Sequence, residues 1–327
     1  MNNSTLSTQV SSEPPQIVVI IRTYVLFTEG VLSVLLNLFV LGIILYRRSL
    51  LFNVSGIAVL ALTLLDAANA GTTLYGNIRF FMKIFGNGPY DCHIRGASTG
   101  FFTFSAIWMV ALLAYSRYDA IISAKTGKMK TTLFWVLVGG IPMAIVFAFC
   151  VSVGAQLKFF KMPIGRCMLV DALHKEPLVM TAQIVSLIFR ILTLVVVTYC
   201  YIYIATAHKK AIKRMITTSN SQGSENKSVG YHQEINEVEV RRIKRKVYLK
   251  ISVMLFFYYL CLLPTIAYEI YELSAWEVRS IEADAITAAL LMFLGVMNPL
   301  MVLVLHEQIK LAMIEMFQNL CYKIFRS

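Results

Sequence analysis

The sequence predicts an all-α protein, a bundle of seven membrane-spanning helices followed by a short amphipathic helix. Three observations predict it. Hydrophobic residues fill 57% of the 327 positions and charged residues only 15%, against about 45–50% and 25% in soluble domains. Seven stretches are apolar over roughly the 20 residues that a helix needs to cross a bilayer. None of them alternates with the period of two that marks a membrane barrel. This composition excludes disorder for most of the chain and disfavours a soluble enzyme.

Residues 1–17 form a polar N-terminal segment whose one charge is Glu13. No short apolar run with a small-residue cleavage site follows, so no cleaved leader is expected. The first span, 18–46, contains VLSVLLNLFVLGIILY and stops at Arg47 and Arg48. The second and third are expected at 52–78 and 93–122, and the fourth at 131–154 in TLFWVLVGGIPMAIVFAFCVSV. The fifth covers 178–207, the sixth 247–272 and the seventh 282–305. Together, 18–305 make one domain, with no internal repeat and no second unit. Between the fifth and sixth spans lies a loop at 208–246. Its middle, 216–240, is rich in Ser, Asn and Gly and then Glu, and reads as flexible. Basic helical extensions, HKKAIKR and RRIKRK, bracket it. Residues 306–327 read as the amphipathic helix and tail.

The net charge of +12 is a topology signal. With the N-terminus outside, 20 of the 30 Lys and Arg residues fall on the cytoplasmic side and nine on the outer side, with Arg190 inside a span. The positive-inside rule therefore places the N-terminus outside and the C-terminus in the cytoplasm. The same charge draws the inner face toward anionic membrane lipid. It does not argue for nucleic acid. Glycan acceptor patterns occur at Asn2 and Asn3 on the outer segment, and at Asn53 and Asn226 on the side where they stay bare.

Several residues stand out against the apolar background. Asp66 is an acid near mid-membrane, where a charge costs at least about 2.5–3.5 kcal/mol, so it must face a polar interior. It is read either as a hydrogen-bond hub or as a cation or proton site that moves during switching. Arg190 is the one base deep in a span. Two readings of it stay open: an internal pair with hydroxyls, carbonyls or Glu269, and a counter-charge for an acidic ligand. Pro264 and Pro299 each remove a backbone hydrogen bond inside a span. Of six cysteines, Cys150, Cys200 and Cys261 fall within spans. Cys92 and Cys167 both face the oxidising side, where a bridge can form. Cys321, on the amphipathic helix, is either palmitoylated or unmodified. No cluster has metal-ligand spacing, and no cofactor is expected. Neither H-E-x-x-H nor a nucleophile elbow appears, so an enzyme is not expected.

In order along the chain, these and other residues resemble the class A (rhodopsin-like) G-protein-coupled receptors over about 20–320. Asn37 in LLNLFVLGII looks like the family's first-helix Asn, and Asp66 in LALTLLDAA like its second-helix Asp. Cys92 precedes Arg117 by 25 residues, the family's interval from its third-helix Cys to its D-R-Y arginine, here Ser116-Arg117-Tyr118. Trp135 fits the fourth helix, Cys261-Leu262-Leu263-Pro264 resembles C-W-x-P, and Asn298-Pro299-Leu300-Met301-Val302 resembles N-P-x-x-Y. The match is that of a divergent member. Ser116 replaces the motif's acid, Lys244 stands where many members carry an acid, and Leu262 and Val302 replace the Trp and the Tyr. Ala106 and Leu294 replace polar sodium ligands.

The resemblance implies a receptor that binds an extracellular ligand and signals to a heterotrimeric G protein. Asn37, Asp66, Pro264, Asn298 and Pro299 would form the switching core, and Arg117, Tyr118 and Lys244 the coupling face. The implied ligand pocket is drawn from Arg95, Thr99, Thr103, Arg190, Tyr268, Glu269 and Glu272. Thr99 stands where amine receptors carry an Asp, which disfavours a biogenic amine. The last span holds no Lys for a Schiff base, which disfavours retinal. A non-signalling or atypically coupled seven-helix protein, or a small-solute transporter, is the alternative.

Overall fold

The computed structural model describes residues 16–52, 54–81, 89–123, 159–161, 167–169, 177–222, 230–275 and 280–326. Helix α1 runs Gln16–Tyr46 with one π-helical stretch, Ile21–Leu26. Helix α2 is Val54–Phe81, α3 Pro89–Ser123, α4 Pro177–Gln222, α5 Gly230–Ala275, α6 Ile281–Leu305 and α7 Glu307–Arg326. Six of these helices, α1 to α6, are long and apolar enough to cross a membrane. They carry the first, second, third, fifth, sixth and seventh expected spans. The fourth, 131–154, lies outside the described residues, as do Asn2 and Asn3. The all-α, seven-helix class holds.

The bundle is inverted relative to a soluble protein. Leu32, Leu35 and Leu38 on α1 and Ile188, Leu192 and Val195 on α4 turn outward. Asn37, Asp66, Asn69, Ser105, Arg190, Thr193 and Glu269 are buried. Polar groups inside and leucines outside is the arrangement that a hydrocarbon solvent selects. Neighbouring helices pack along the chain, and α6 closes the ring against α1. One apolar cluster joins α3, α4, α5 and α6 through Ile107, Val197, Tyr201, Tyr258, Leu262 and Leu294. A second joins α1, α2, α3 and α7 through Ile43, Val59, Leu113 and Ile309.

Two ends of the bundle can be told apart. The head end holds the starts of α1, α4 and α6. The tail end holds Tyr46, Leu305 and α7. At the head, Ser280 caps α6 by accepting from the Ala283 amide at 3.2 Å, and Glu282 and Asp284 occupy the first turn. At the tail, Gly56 lies against the Leu50 carbonyl so closely that a Cβ would stand 1.9 Å from the oxygen. Only glycine lets the turn at Arg48–Phe52 fold onto α2.

Helix α7 buries Ile309 and Ala312 and exposes Leu311, Ile314, Phe317 and Leu320, a two-sided pattern for an interfacial helix. It is pinned to α1 by Arg47–Glu315 at 3.3 Å and by Asn319 donating to the Tyr46 hydroxyl at 2.6 Å.

Two features correct the sequence reading. The segment 216–240 is not one flexible loop, since α4 continues to Gln222 and α5 begins at Gly230. Once a span has nucleated a helix, each added residue gains a bond at little further entropic cost. Residues 159–161 and 167–169 also form a short antiparallel hairpin, β1 and β2, which pairs Lys161 with Cys167 and lies against α3. Three-residue strands carry no periodic signal in sequence.

Candidate functional site

Polar side chains gather at three depths of the bundle. At the head end, Arg190 on α4 is paired with Glu269 on α5 through Nη1 and Oε1. The pair is 8% and 7% exposed, so each charge depends on the other. Ser186, one turn earlier on α4, donates to the same carboxylate at 3.3 Å. The Arg190 guanidinium also lies over the Phe104 ring, 5.4 Å from its centre. Phe189 packs edge-on to Phe104 and against Trp108.

The other pocket residues divide. Glu272 is buried on α5, one turn beyond Glu269, and Tyr268 is 36% exposed. Thr103 on α3 turns to α2, donating to Asn69 Oδ1 at 3.4 Å. Arg95 also lies toward α2, close enough that a Cβ at Gly76 would stand 3.1 Å from its Nη1. Thr99 is half-buried on α3 between these two turns. Arg190 and Glu269 are therefore brought together, while Arg95 and Thr103 form a separate group beside α2.

At mid-depth, Asn298 on α6 donates to Asp66 Oδ2 at 2.9 Å. Asp66 is 3% exposed. Asn37 on α1 does not bond to that carboxylate. Its amide donates to the Ser33 carbonyl at 2.8 Å and to the Gly295 carbonyl at 3.1 Å, one turn above Asn298. Gly295 permits this approach, because a Cβ there would meet Ser33 Oγ at 2.8 Å. Pro264 and Pro299 sit within α5 and α6, neither of which is interrupted. Ala106, Leu262 and Leu294 are buried and apolar. No group of three or more His, Cys, Asp or Glu side chains is placed to hold a metal among the described residues.

At the tail end, Arg117 on α3 donates from Nη1 to the Tyr201 hydroxyl on α4 at 2.8 Å. It forms no ion pair among the described residues. Ser116 turns back on its own helix, donating to the Leu113 carbonyl at 3.0 Å. Tyr118 packs in an aromatic group with Tyr115, Tyr199 and Tyr203. Lys244 lies on α5, with its side chain outside the described residues. Arg117, Tyr201, Tyr258, Asn298 and Val302 line a cleft. Beyond it, His306 joins α6 to α7, with Nδ1 3.4 Å from Ser55 Oγ. Burial first, and then the nearby Arg117 charge, push its pKa down to about 3.

Sequence reasoning missed Tyr201, Tyr248 and Lys250. On α5, Tyr248 donates to the Ala205 carbonyl of α4 at 3.1 Å, and Lys250 to the Val304 carbonyl of α6 at 3.0 Å. Backbone acceptors leave no motif, so no sequence signal marks the last two.

The sequence profile of the 7 transmembrane receptor (rhodopsin family) matches residues 36–301. That span runs from Leu36 in the Asn37 motif to Met301 in the last motif. No individual curated protein matches the chain.

Proposed function

Given that the chain belongs to the rhodopsin family of seven-transmembrane receptors, we propose that it is a plasma-membrane receptor. It binds an extracellular ligand at the head end and passes the signal to a heterotrimeric G protein at the tail end. The N-terminus is extracellular and the C-terminus cytoplasmic. The observation that carries this reading is Arg117. It lines the tail-end cleft and, among the described residues, is held by one neutral hydroxyl, a bond that an incoming partner can displace. Tyr118 and Lys244 complete the coupling face.

Asp66, bonded to Asn298, and Asn37, bonded to α6, form the polar core through which the helices shift, with Pro264 and Pro299 as the bends. At the head end, Arg190 is already neutralised by Glu269. A ligand acid binds it only by displacing or sharing that carboxylate, whereas a neutral, hydrogen-bonding ligand fits without breaking the pair. Arg95, Thr99, Thr103, Tyr268 and Glu272 line the remaining pocket.

The receptor carries a disulfide from Cys92 to Cys167. Support comes from β2, which holds Cys167 and lies against the helix that carries Cys92. The side chains of both cysteines lie outside the described residues. Asn2 and Asn3 carry glycans. Cys321, exposed on α7, is a lipidation site facing the inner leaflet.

The test is G-protein activation in cells, first without ligand and then under a chemically broad ligand screen. Arg117→Ala at equal surface expression should abolish both signals. Signalling that persists in full would remove Arg117 from the coupling face.

A further inference from the structure

Without an acid at Ser116 or Lys244, something else must keep the cytoplasmic end of α5 against the bundle. Arg117 is bonded to α4, so it restrains α3 and does not hold α5. At this end, two side chains of α5 among the described residues do reach its neighbours. Tyr248 bonds to the Ala205 carbonyl on one side, and Lys250 to the Val304 carbonyl on the other. Residues two apart on a helix point in nearly opposite directions, so these two bracket α5 between α4 and α6.

The acceptor at Val304 is well placed. Helix α6 ends at Leu305, so Val304 is among the last carbonyls, which have no donor in the following turn of their own helix. A cation at that terminus also meets the negative end of the helix dipole. The contact exists only while α5 lies close to the end of α6, and any outward swing of α5 lengthens both bonds together.

We propose that Lys250 and Tyr248 are the positioning residues that hold α5 in its resting place, in the role that an acid on the motif arginine would otherwise serve. The proposal rests on the receptor reading. In that reading, G-protein coupling requires the Lys250–Val304 contact to open, and Lys250 sets the basal activity.

The experiment uses the full-length protein in lipid nanodiscs, without ligand. Spin labels are placed at Lys246→Cys on α5 and Gln318→Cys on α7, in a Cys321→Ser background. Helix α7 serves as the fixed reference because it is pinned to α1. Lys250→Met should enrich the longer α5–α7 distances by about two- to fivefold, the range expected of a helix-terminal cation. Lys250→Arg should restore the resting distribution, and Tyr248→Phe, which loses only the hydroxyl, should shift it in the same direction as Lys250→Met. Ligand-free G-protein activation in cells should rise by the same factor. Distances unchanged in both Lys250→Met and Tyr248→Phe would overturn the proposal. Shifted distances without any signalling would uphold the restraint and count against the receptor reading instead.

Discussion

Arg190 and Arg117 carry the same side chain at opposite ends of the bundle, in opposite circumstances. Arg190 is buried with a carboxylate on it and an aromatic face beneath it. Arg117 leans on a phenol hydroxyl beside an open cleft. Removing one partner from the first pair strands a charge in a low-dielectric interior, a cost that keeps the pair intact. Breaking the second contact gives up one hydrogen bond, which water or an incoming partner can replace. The head end is thus built to hold its shape, and the tail end to release it.

The largest expected effect comes from breaking the head-end pair. Glu269→Gln should cost about 3–5 kcal/mol, read as reduced surface expression and a lower thermal midpoint in detergent. The double variant Arg190→Gln, Glu269→Gln should recover much of the loss, since no charge is left stranded. A double variant as unstable as the single one would show that packing, and not the pair, dominates. Next is Tyr201→Phe, which removes the partner of Arg117 at a cost of roughly 1.5–3 kcal/mol. Its effect should fall on basal G-protein activation, with surface expression unchanged. Reduced expression with normal basal activity would make Tyr201 a packing residue and erase the contrast between the two ends.

Ser116→Asp sharpens the comparison by giving Arg117 the kind of partner that Arg190 already has. An added restraint of ~1.4 kcal/mol lowers the open population tenfold, so ligand-free signalling should drop at equal expression. No drop would mean that Asp119 or another polar group already restrains Arg117.

The smallest effect concerns His306. Its pKa is about 3 in the folded state, below the ordinary value of 6.5, because burial and Arg117 disfavour the charged ring. Below pH 6.5 the unfolded chain binds a proton that the folded one refuses, so stability is full above that value and is lost as pH falls toward 3. Between pH 7.5 and 6 the loss should stay below about 1 kcal/mol. It should disappear in His306→Gln, as measured by thermal inactivation of the purified protein.

Much of the fold was legible because lipid imposes one requirement on every span, and that requirement is written in runs of apolar residues. Asp66 and Arg190 were legible for the same reason: an ionisable group in such a run must turn inward. Their partners were less so. Asn298 lies 232 residues from Asp66, and Glu269 79 residues from Arg190. Such distances connect only after the helices have been ordered, which the family motifs allow for Asn298, whereas Glu269 was one of several partners open to Arg190. Tyr248 and Lys250 were illegible because a carbonyl acceptor is present at every residue. The basic extensions of α4 and α5 were read as helical, but their continuation to Gln222 and from Gly230 was missed because polar sequence can be helical once a span has started the helix. The hairpin at 159–161 and 167–169 was too short to leave any pattern.

The bond from Asn37 to the Gly295 carbonyl joins residues 258 positions apart. At about 5–20 residues per second, the ribosome needs roughly 13–50 s to travel between them. Throughout that interval the Asn37 amide has only the Ser33 carbonyl and hydroxyl of its own helix, and its second acceptor belongs to a helix not yet made. A nonsense codon anywhere before α6 leaves that face permanently incomplete, with polar groups open to lipid or to quality-control machinery. The last span therefore closes the bundle against α1, and the polar face of the first helix is complete only once that span is in place.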